Sequence, residues 1–423
     1  MAGRVSWGLA DQAVSSLTNF AVGSYVARSL GATAFGIFGL AMVTYSVSLN
    51  VSRGLATDPL MVRFSGVSTQ LWRRAVARSG GTALAAGAAA GAVCLVIGAF
   101  LHGSLAHAFI CLGIMLPALL MQDSWRFAFF AAGAGRKAFA NDLVWGIMLI
   151  PAMVLADRFG TISSFVLAWG ASAAIAAAFG CIQTGIFPRV AATRDWLREQ
   201  RELAPRYLLE NVSNSGAYQL RMYGLGGIAG LAAVGTVRGA ELLLGPFTAV
   251  LMGLSLVTVG EASRVLRRAP HKLRQFCFLL GAAQAVAALV WGLALLVLPD
   301  RAGWFVLGPV WPLASALIVP ATLSIAGASF ITGAQVGLRA LGAARRSMPT
   351  QLLASSFYVV GGLLGAVVAG AAGSAWGAAV ATTSGALVWW FQLSRGLKER
   401  TMTVRARQSV PPSGPREVEE RRA

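Results

Sequence analysis

Apolar runs of about 18 to 25 residues recur along the whole chain, each long enough to cross roughly 30 Å of hydrocarbon as a helix. Backbone in lipid must satisfy its own hydrogen bonds, so such runs dictate membrane-spanning helices. Hydropathy places about twelve spans near residues 5–28, 35–55, 79–101, 106–126, 141–157, 161–187, 206–229, 234–258, 276–298, 312–337, 350–370 and 374–394. Only 12% of the 423 residues are charged, about half the share usual in soluble domains, and the mean hydropathy is +0.66. Soluble and disordered classes are excluded, and the chain reads as an all-α polytopic membrane protein. The opening MAGRVSWGLADQAVSS lacks the basic n-region and small-residue cleavage site of a signal peptide, so Val5 onward reads as a retained first span.

A net charge of +19 would suggest nucleic acid as a partner in a soluble chain. Here the charges follow the loops. One set of connections is short and nearly uncharged: 29–34, 102–105, 157–160, 230–233, 371–373 and the longer 299–311. The other set, taken with Arg4, Arg63 and Arg126, holds 29 of the 35 lysines and arginines. Arg28, Arg158 and Arg301 lie at the opposite face, while Arg53, Arg221 and Arg238 fall within spans. The positive-inside rule then puts both termini in the cytoplasm, and anionic lipid headgroups account for the charge without nucleic acid. Cys94, Cys111, Cys181 and Cys277 sit in apolar runs with no CxxC, and read as packing residues. His102, His107 and His271 fall in two loops on opposite sides, so no metal centre is expected.

The chain repeats itself. At one offset of 199 residues Gly31 and Gly36 fall on Gly230 and Gly235, Gly54-Leu55 on Gly253-Leu254, Asp11 on Glu210, Gln12 on Asn211 and Ser15 on Asn214. Six spans per half is an even number, so the two repeats enter from the same side and are parallel. The expected division is an N-terminal six-helix bundle (1–188), an amphipathic cytoplasmic linker (189–205), a C-terminal six-helix bundle (206–396) and a Pro-rich, disordered cytoplasmic tail (397–423).

Polar residues at lipid depth are costly, about 2.5 to 3.5 kcal/mol per charge near the bilayer centre, and persist when paired or facing water. Span 1 carries Asp11, Ser15, Thr18 and Asn19 on one helical face, and span 7 carries Glu210, Asn214, Ala217 or Tyr218, and Arg221. Their matching stripes predict that the two helices face each other across a cavity, with Asp11 and Glu210 near its cytoplasmic end. The rival reading makes these carboxylates structural anchors. Span 2 ends in Arg53, Asp58 and Arg63, and Asp58-Pro59 is expected to terminate or kink it. That cluster reads either as a salt bridge at a helix end or as a phosphate-attracting vestibule. Arg238 and Glu241, three apart, can pair on one face.

Enzyme signals fail. Gly224-Leu225-Gly226-Gly227-Ile228-Ala229 fits GxGxxA but lies inside a span with no preceding strand, and GxxxxGK[ST] is absent. No acidic glycosyltransferase-type loop lies outside the spans. Gly87-xxx-Gly91, Gly361-xxx-Gly365 and Gly373-xxx-Gly377 read as close helix packing. Neither an enzyme nor a cofactor is expected.

Ala27-Arg28-Ser29-Leu30-Gly31, then Phe35-Gly36, then Gly54-Leu55-Ala56-Thr57-Asp58-Pro59-Leu60-Met61-Val62-Arg63, resembles the opening of polysaccharide-biosynthesis flippases. These belong to the multidrug/oligosaccharidyl-lipid/polysaccharide exporter superfamily. Gly230-Leu231-Ala232-Ala233-Val234-Gly235 and Gly245-Pro246 extend the resemblance into the second half. It implies twelve helices in two parallel six-helix repeats, the MATE-like exporter fold, and a V-shaped cavity open alternately to either side.

The resemblance further implies a bacterial inner-membrane flippase whose cargo is a polyprenyl-(pyro)phosphate-linked oligosaccharide, with glycosyltransferases or a polymerase of the same pathway as partners. Substrate-binding candidates are Arg28, Arg53, Arg63, Arg221, Asn19, Asn214 and Gln219. Coupling or gating candidates are Asp11, Glu210, Asp58, Arg238 and Glu241. Gln219-Leu220-Arg221 stands where the family often has an acidic residue, which departs from family-style ion coupling. Alternatives are a cation-coupled multidrug exporter, a membrane scaffold for polysaccharide synthesis and a membrane-embedded glycosyltransferase. Arg221 itself carries two readings: ligand for the anionic head, or partner of an acid such as Glu241 in closing the halves together.

Overall fold

A computed structural model describes residues 2–408, and the side chains of these except at 2–9, 214, 252–257, 259, 260, 344, 345, 401 and 403–408. Among the described residues every regular element is a helix. The first run, Ala2–Ser52, is two helices meeting at Gly31. They are α1 (residues 2–30) and α2 (residues 32–64), the latter passing through a π-helical turn at Arg53–Thr57 and ending in Asp58–Phe64. Next come α3 (Thr69–Phe100), α4 (Gly103–Ala131), α5 (Gly135–Asp157), α6 (Ile162–Thr184) and the short α7 (Thr193–Glu199). After these follow α8 (Ala204–Ala229), α9 (Leu231–Arg268), α10 (Leu273–Leu296), the short α11 (Asp300–Leu307) and α12 (Trp311–Ser315), and α13 (Ile318–Ala340). The last run, Ala344–Gln408, breaks at Ala369 and Gly370 into α14 (residues 344–368) and α15 (residues 371–408).

Among the described residues nine stretches are apolar and long enough to span a bilayer, and two of them, Ala10–Phe64 and Arg346–Arg400, each fold into a pair of helices. With the more polar α8 they make the twelve spans of a multi-pass membrane protein. The 199-residue offset reappears in the backbone. Gly31 has φ 76°, ψ −178°, and Gly230 has φ 86°, ψ 172°. Both values lie where a side chain is strained, so both corners require glycine. α1 therefore turns into α2 as α8 turns into α9.

Beyond these corners α2 and α9 cross with their backbones in contact. A Cβ on Gly36 would lie 1.8 Å from the Leu231 carbonyl oxygen, and one on Gly235 would lie 1.9 Å from that of Ala32. The same device joins α14 to α15: a Cβ on Gly365 would meet the Gly373 oxygen at 2.0 Å, and one on Gly373 the Gly365 oxygen at 1.9 Å. Gly91 of α3 abuts the Gly113 oxygen of α4. Without side chains between them, helices gain dispersion contact that lipid cannot match, which is the packing role the spaced glycines suggested.

Asp58-Pro59 does not end α2. Proline lacks an N–H and crowds the carbonyl four residues back, which here belongs to Leu55. α2 widens into the π-turn, where the Asp58 N–H reaches back to the Arg53 oxygen. The freed Leu55 oxygen accepts a hydrogen bond from the Trp196 indole at 3.0 Å. Trp196 is fully buried, with its ring 5.8 Å from that of Phe64, so α7 is fixed to the base of α2. Two further expectations change. The connection 299–311 is folded, and Asp300 at the start of α11 accepts the Trp311 indole N–H at 2.9 Å, which ties α11 to α12. Residues 397–408, expected within the tail, continue α15, while 409–423 lie outside the described residues.

Candidate functional site

A cavity of about 1000 Å³ lies between the two sets of helices. Its walls come from α1, α2, α8, α9, α13, α14 and α15. Near the α2–α9 crossing it is lined by Phe35 and Val237, and toward the basic end by Gln335 and Gln351. The lining is largely apolar, with the charge gathered on one wall.

That wall is built by α8 and α9. Arg221 is buried, 3% exposed, and its Nη2 donates to Glu241 Oε1 at 3.0 Å. Arg238 Nη1 lies 3.6 Å from Glu241 Oε2 and donates to the Tyr218 hydroxyl at 2.9 Å. Tyr218 in turn donates to Glu241 Oε2 at 2.7 Å. The Arg221 guanidinium stacks 4.9 Å from the Tyr358 ring of α14 and donates at 3.4 Å to the Ser374 oxygen of α15. Arg221 Nε and Arg238 Nε are buried donors without a hydrogen-bond partner. Two guanidiniums against one carboxylate leave this wall one positive charge in excess. Asn19 of α1 also lines the cavity.

A second ionic network lies among α1, α2, α4 and α5. Arg126 pairs with Asp11 at 2.6 Å and lies 3.6 Å from Asp142. Gln122 donates to Asp142 at 2.8 Å, and Arg53 grips Asp123 with two bonds of 3.0 and 2.7 Å. Three carboxylates thus share two guanidiniums, and the second oxygen of Asp11 is buried without a partner. Each of these charges is tolerable at this depth because it is paired.

The structure redistributes several expected residues. Asp11 does not face Glu210: it is fully buried against Arg126, whereas Glu210 is exposed on α8. Arg126, counted above with the basic loops, is a member of the buried network instead. Arg53 is engaged by Asp123, and Arg63, exposed, donates to the Glu199 oxygen at 2.9 Å. Asp58 accepts from Asn211 of α8 at 2.7 Å, and Asn50 donates to Ser215 at 2.6 Å, so α2 touches α8 near the basic end as well. Arg28 is exposed at the opposite end, 4.8 Å from the Phe305 ring of α11. Gln219 is buried and absent from the cavity wall, with its amide nitrogen unpartnered. The side chain of Asn214 lies outside the described residues. Arg221, Arg238, Glu241 and Asn19 are the expected residues that reach the cavity.

Asp123, Asp142 and Tyr358 were missed. Asp123 and Arg126 stand three apart on α4, a spacing that puts both on one face, but Arg126 was counted with the basic loops, which left Asp123 without a candidate partner. Arg221 does pair with Glu241, but on neighbouring helices α8 and α9, so the bond does not clasp the two halves.

No family model matches the sequence, and no curated protein matches it. Solved structures do. The chain is similar to an inward-facing multidrug resistance MATE family transporter of the MOP superfamily, with a TM-score of 0.68 at 14% identity over 92% of this chain and 96% of that one. It is similar to the lipid II flippase MurJ in its inward closed conformation, with a TM-score of 0.68 at 9% identity over 95% of this chain and 91% of that one. A MATE structure in complex with MaL6 follows at a TM-score of 0.52 and 13% identity, over 94% and 96% of the two chains. This chain has the MATE and MurJ fold.

Proposed function

We propose that the protein is a transporter that flips an anionic amphiphile, a polyprenyl-(pyro)phosphate-linked oligosaccharide or related precursor, between leaflets by alternating access. The observation that carries this reading is the excess guanidinium on the cavity wall. Arg221 and Arg238 supply planar forks suited to phosphate oxygens, and they stay charged at any physiological pH. Gln335 and Gln351, 3.2 Å apart, offer amides to sugar hydroxyls. The two structural relatives named as a multidrug transporter and as a lipid II flippase are compatible with export of an amphiphile through such a fold.

A second reading, a cation-coupled multidrug exporter, draws on the other network, where Asp11, Asp123 and Asp142 outnumber Arg53 and Arg126. Mass spectrometry of a deletion strain separates the two. Accumulated polyprenyl-linked sugar is the expected result. An unchanged lipid-linked pool with new sensitivity to cationic drugs would replace the flippase with the drug exporter.

In this proposal the basic end faces the cytoplasm of a bacterial inner membrane, in line with the division of loop charge. There it would receive cargo from the glycosyltransferases that assemble it. Cysteines placed singly at Asp300 and Arg267 test the orientation. In intact cells an impermeant thiol reagent is expected to label the first and spare the second; the reverse pattern would invert the topology.

A further inference from the structure

We propose that Glu241 is an internal stand-in for the cargo's anionic head: it holds the two-arginine clamp until a phosphate arrives and then gives up its place. The inference rests on the reading of the cavity as the seat of a phosphate-bearing lipid head.

Three features of the wall support it. First, the two arms of the Arg221–Glu241 pair are held unequally. Arg221 is 3% exposed and held by the Tyr358 ring and the Ser374 oxygen, whereas Glu241, on the same cavity wall, is 25% exposed. A competing anion entering from the cavity meets the carboxylate first. It can move the carboxylate without moving the guanidinium.

Second, the carboxylate does not use all that surrounds it. Its two oxygens take Arg221, Tyr218 and a long contact to Arg238, while Nε of each arginine is left without a partner. A buried unpaired donor is costly, and a group with more oxygens in a tetrahedral array can satisfy donors that a planar carboxylate leaves idle. Third, the charges fit an exchange. With Glu241 in place the wall carries one net positive charge. With Glu241 displaced it presents two, which suits the double charge of a pyrophosphate diester better than the single charge of a carboxylate.

Glu241 then has two duties. On loading it rejects weak anions, because only a ligand that outbids an intramolecular carboxylate gains the clamp. On release it returns to the guanidiniums and helps expel the head. A clamp without this competitor would hold cargo longer and turn over more slowly.

The test uses the purified full-length protein in lipid nanodiscs, with farnesyl pyrophosphate and inorganic pyrophosphate as probes in equilibrium titrations. Glu241→Gln is expected to bind farnesyl pyrophosphate about tenfold more tightly than the wild type, since one repelling carboxylate is removed beside the phosphate. It is also expected to flip lipid-linked sugar more slowly in reconstituted vesicles. Glu241→Asp keeps the charge on a shorter arm and should fall between the two, which preserves the test if the Gln variant folds poorly. Tightening for both probes assigns recognition to the phosphates alone, and tightening for the farnesyl compound only assigns it to a lipid-borne head. Either supports the exchange. Equal or weaker binding by Glu241→Gln, beside a wild type that binds and an Arg238→Gln variant that does not, overturns the stand-in role and leaves the flippase reading intact. Failure of all forms to bind either probe overturns both.

Discussion

Arg221→Gln is expected to abolish transport while the protein still inserts and folds. Its guanidinium makes the shorter of the two arginine contacts to Glu241, 3.0 Å against 3.6 Å, and charge-assisted hydrogen bonds of this kind contribute about 1.5 to 3 kcal/mol each. Losing the fork costs roughly a hundredfold in affinity for a phosphate head. Arg221→Lys should keep part of the activity, because a point charge replaces a planar fork. Because Arg221 pairs with Glu241 in the structure, the decisive comparison is the double variant. If Arg221 served only to neutralise that carboxylate, Arg221→Gln with Glu241→Gln would restore export, since removing both partners leaves neither of the two as an unpaired buried charge, while Arg238 keeps its bond to Tyr218. Continued loss of lipid-linked sugar export, measured with expression and melting temperature alongside, is the outcome expected of a ligand residue.

Gly235→Val should be the most damaging single change in the packing. The α2–α9 crossing brings each glycine against the other helix's backbone, and no rotamer can relieve a clash between a Cβ and a carbonyl oxygen 1.9 Å away. The helices must separate, at a cost of about 3 kcal/mol, the upper end for over-packing. Gly36→Ala should behave alike, because its Cβ would meet Leu231 at 1.8 Å. Gly227→Ala on α8 is the control, with nothing within 4 Å of the added carbon. Thermal melting in detergent is expected to show a clear drop for the first two variants and none for the third. A Gly235→Val protein with wild-type melting would mean that the crossing is not close-packed.

Much of the architecture was legible because its causes are local or periodic. Hydropathy over some twenty residues fixes a span wherever it occurs. A glycine repeated at an offset of 199 marks a corner whose φ only glycine adopts comfortably, which is why Gly31 and Gly230 could be paired without coordinates. Errors in element bounds came where hydropathy and hydrogen bonding part company. Residues 299–311 are not apolar enough to read as a span, yet they fold into short helical turns tied together by the Asp300–Trp311 bond. The proline at 59 signalled an end or a kink, and the end is averted by a backbone that shifts to a π-turn and by Trp196, 141 residues beyond Leu55, which takes the freed Leu55 carbonyl.

The partners of the charges were another matter. Sequence alone determined that this chain crosses a membrane about twelve times, in two parallel repeats with basic connections gathered on one side, because each of those properties is written in stretches shorter than one helix or in their spacing. Only the tertiary structure decided that Asp11 belongs to Arg126, 115 residues on, that Arg53 belongs to Asp123, and that Arg221 shares Glu241 with Arg238 on the cavity wall. A helical stripe states that a polar face needs a partner but not which of several helices will supply it. That choice depends on how the helices rotate against one another, which glycine contacts and ring packing far from the charges set.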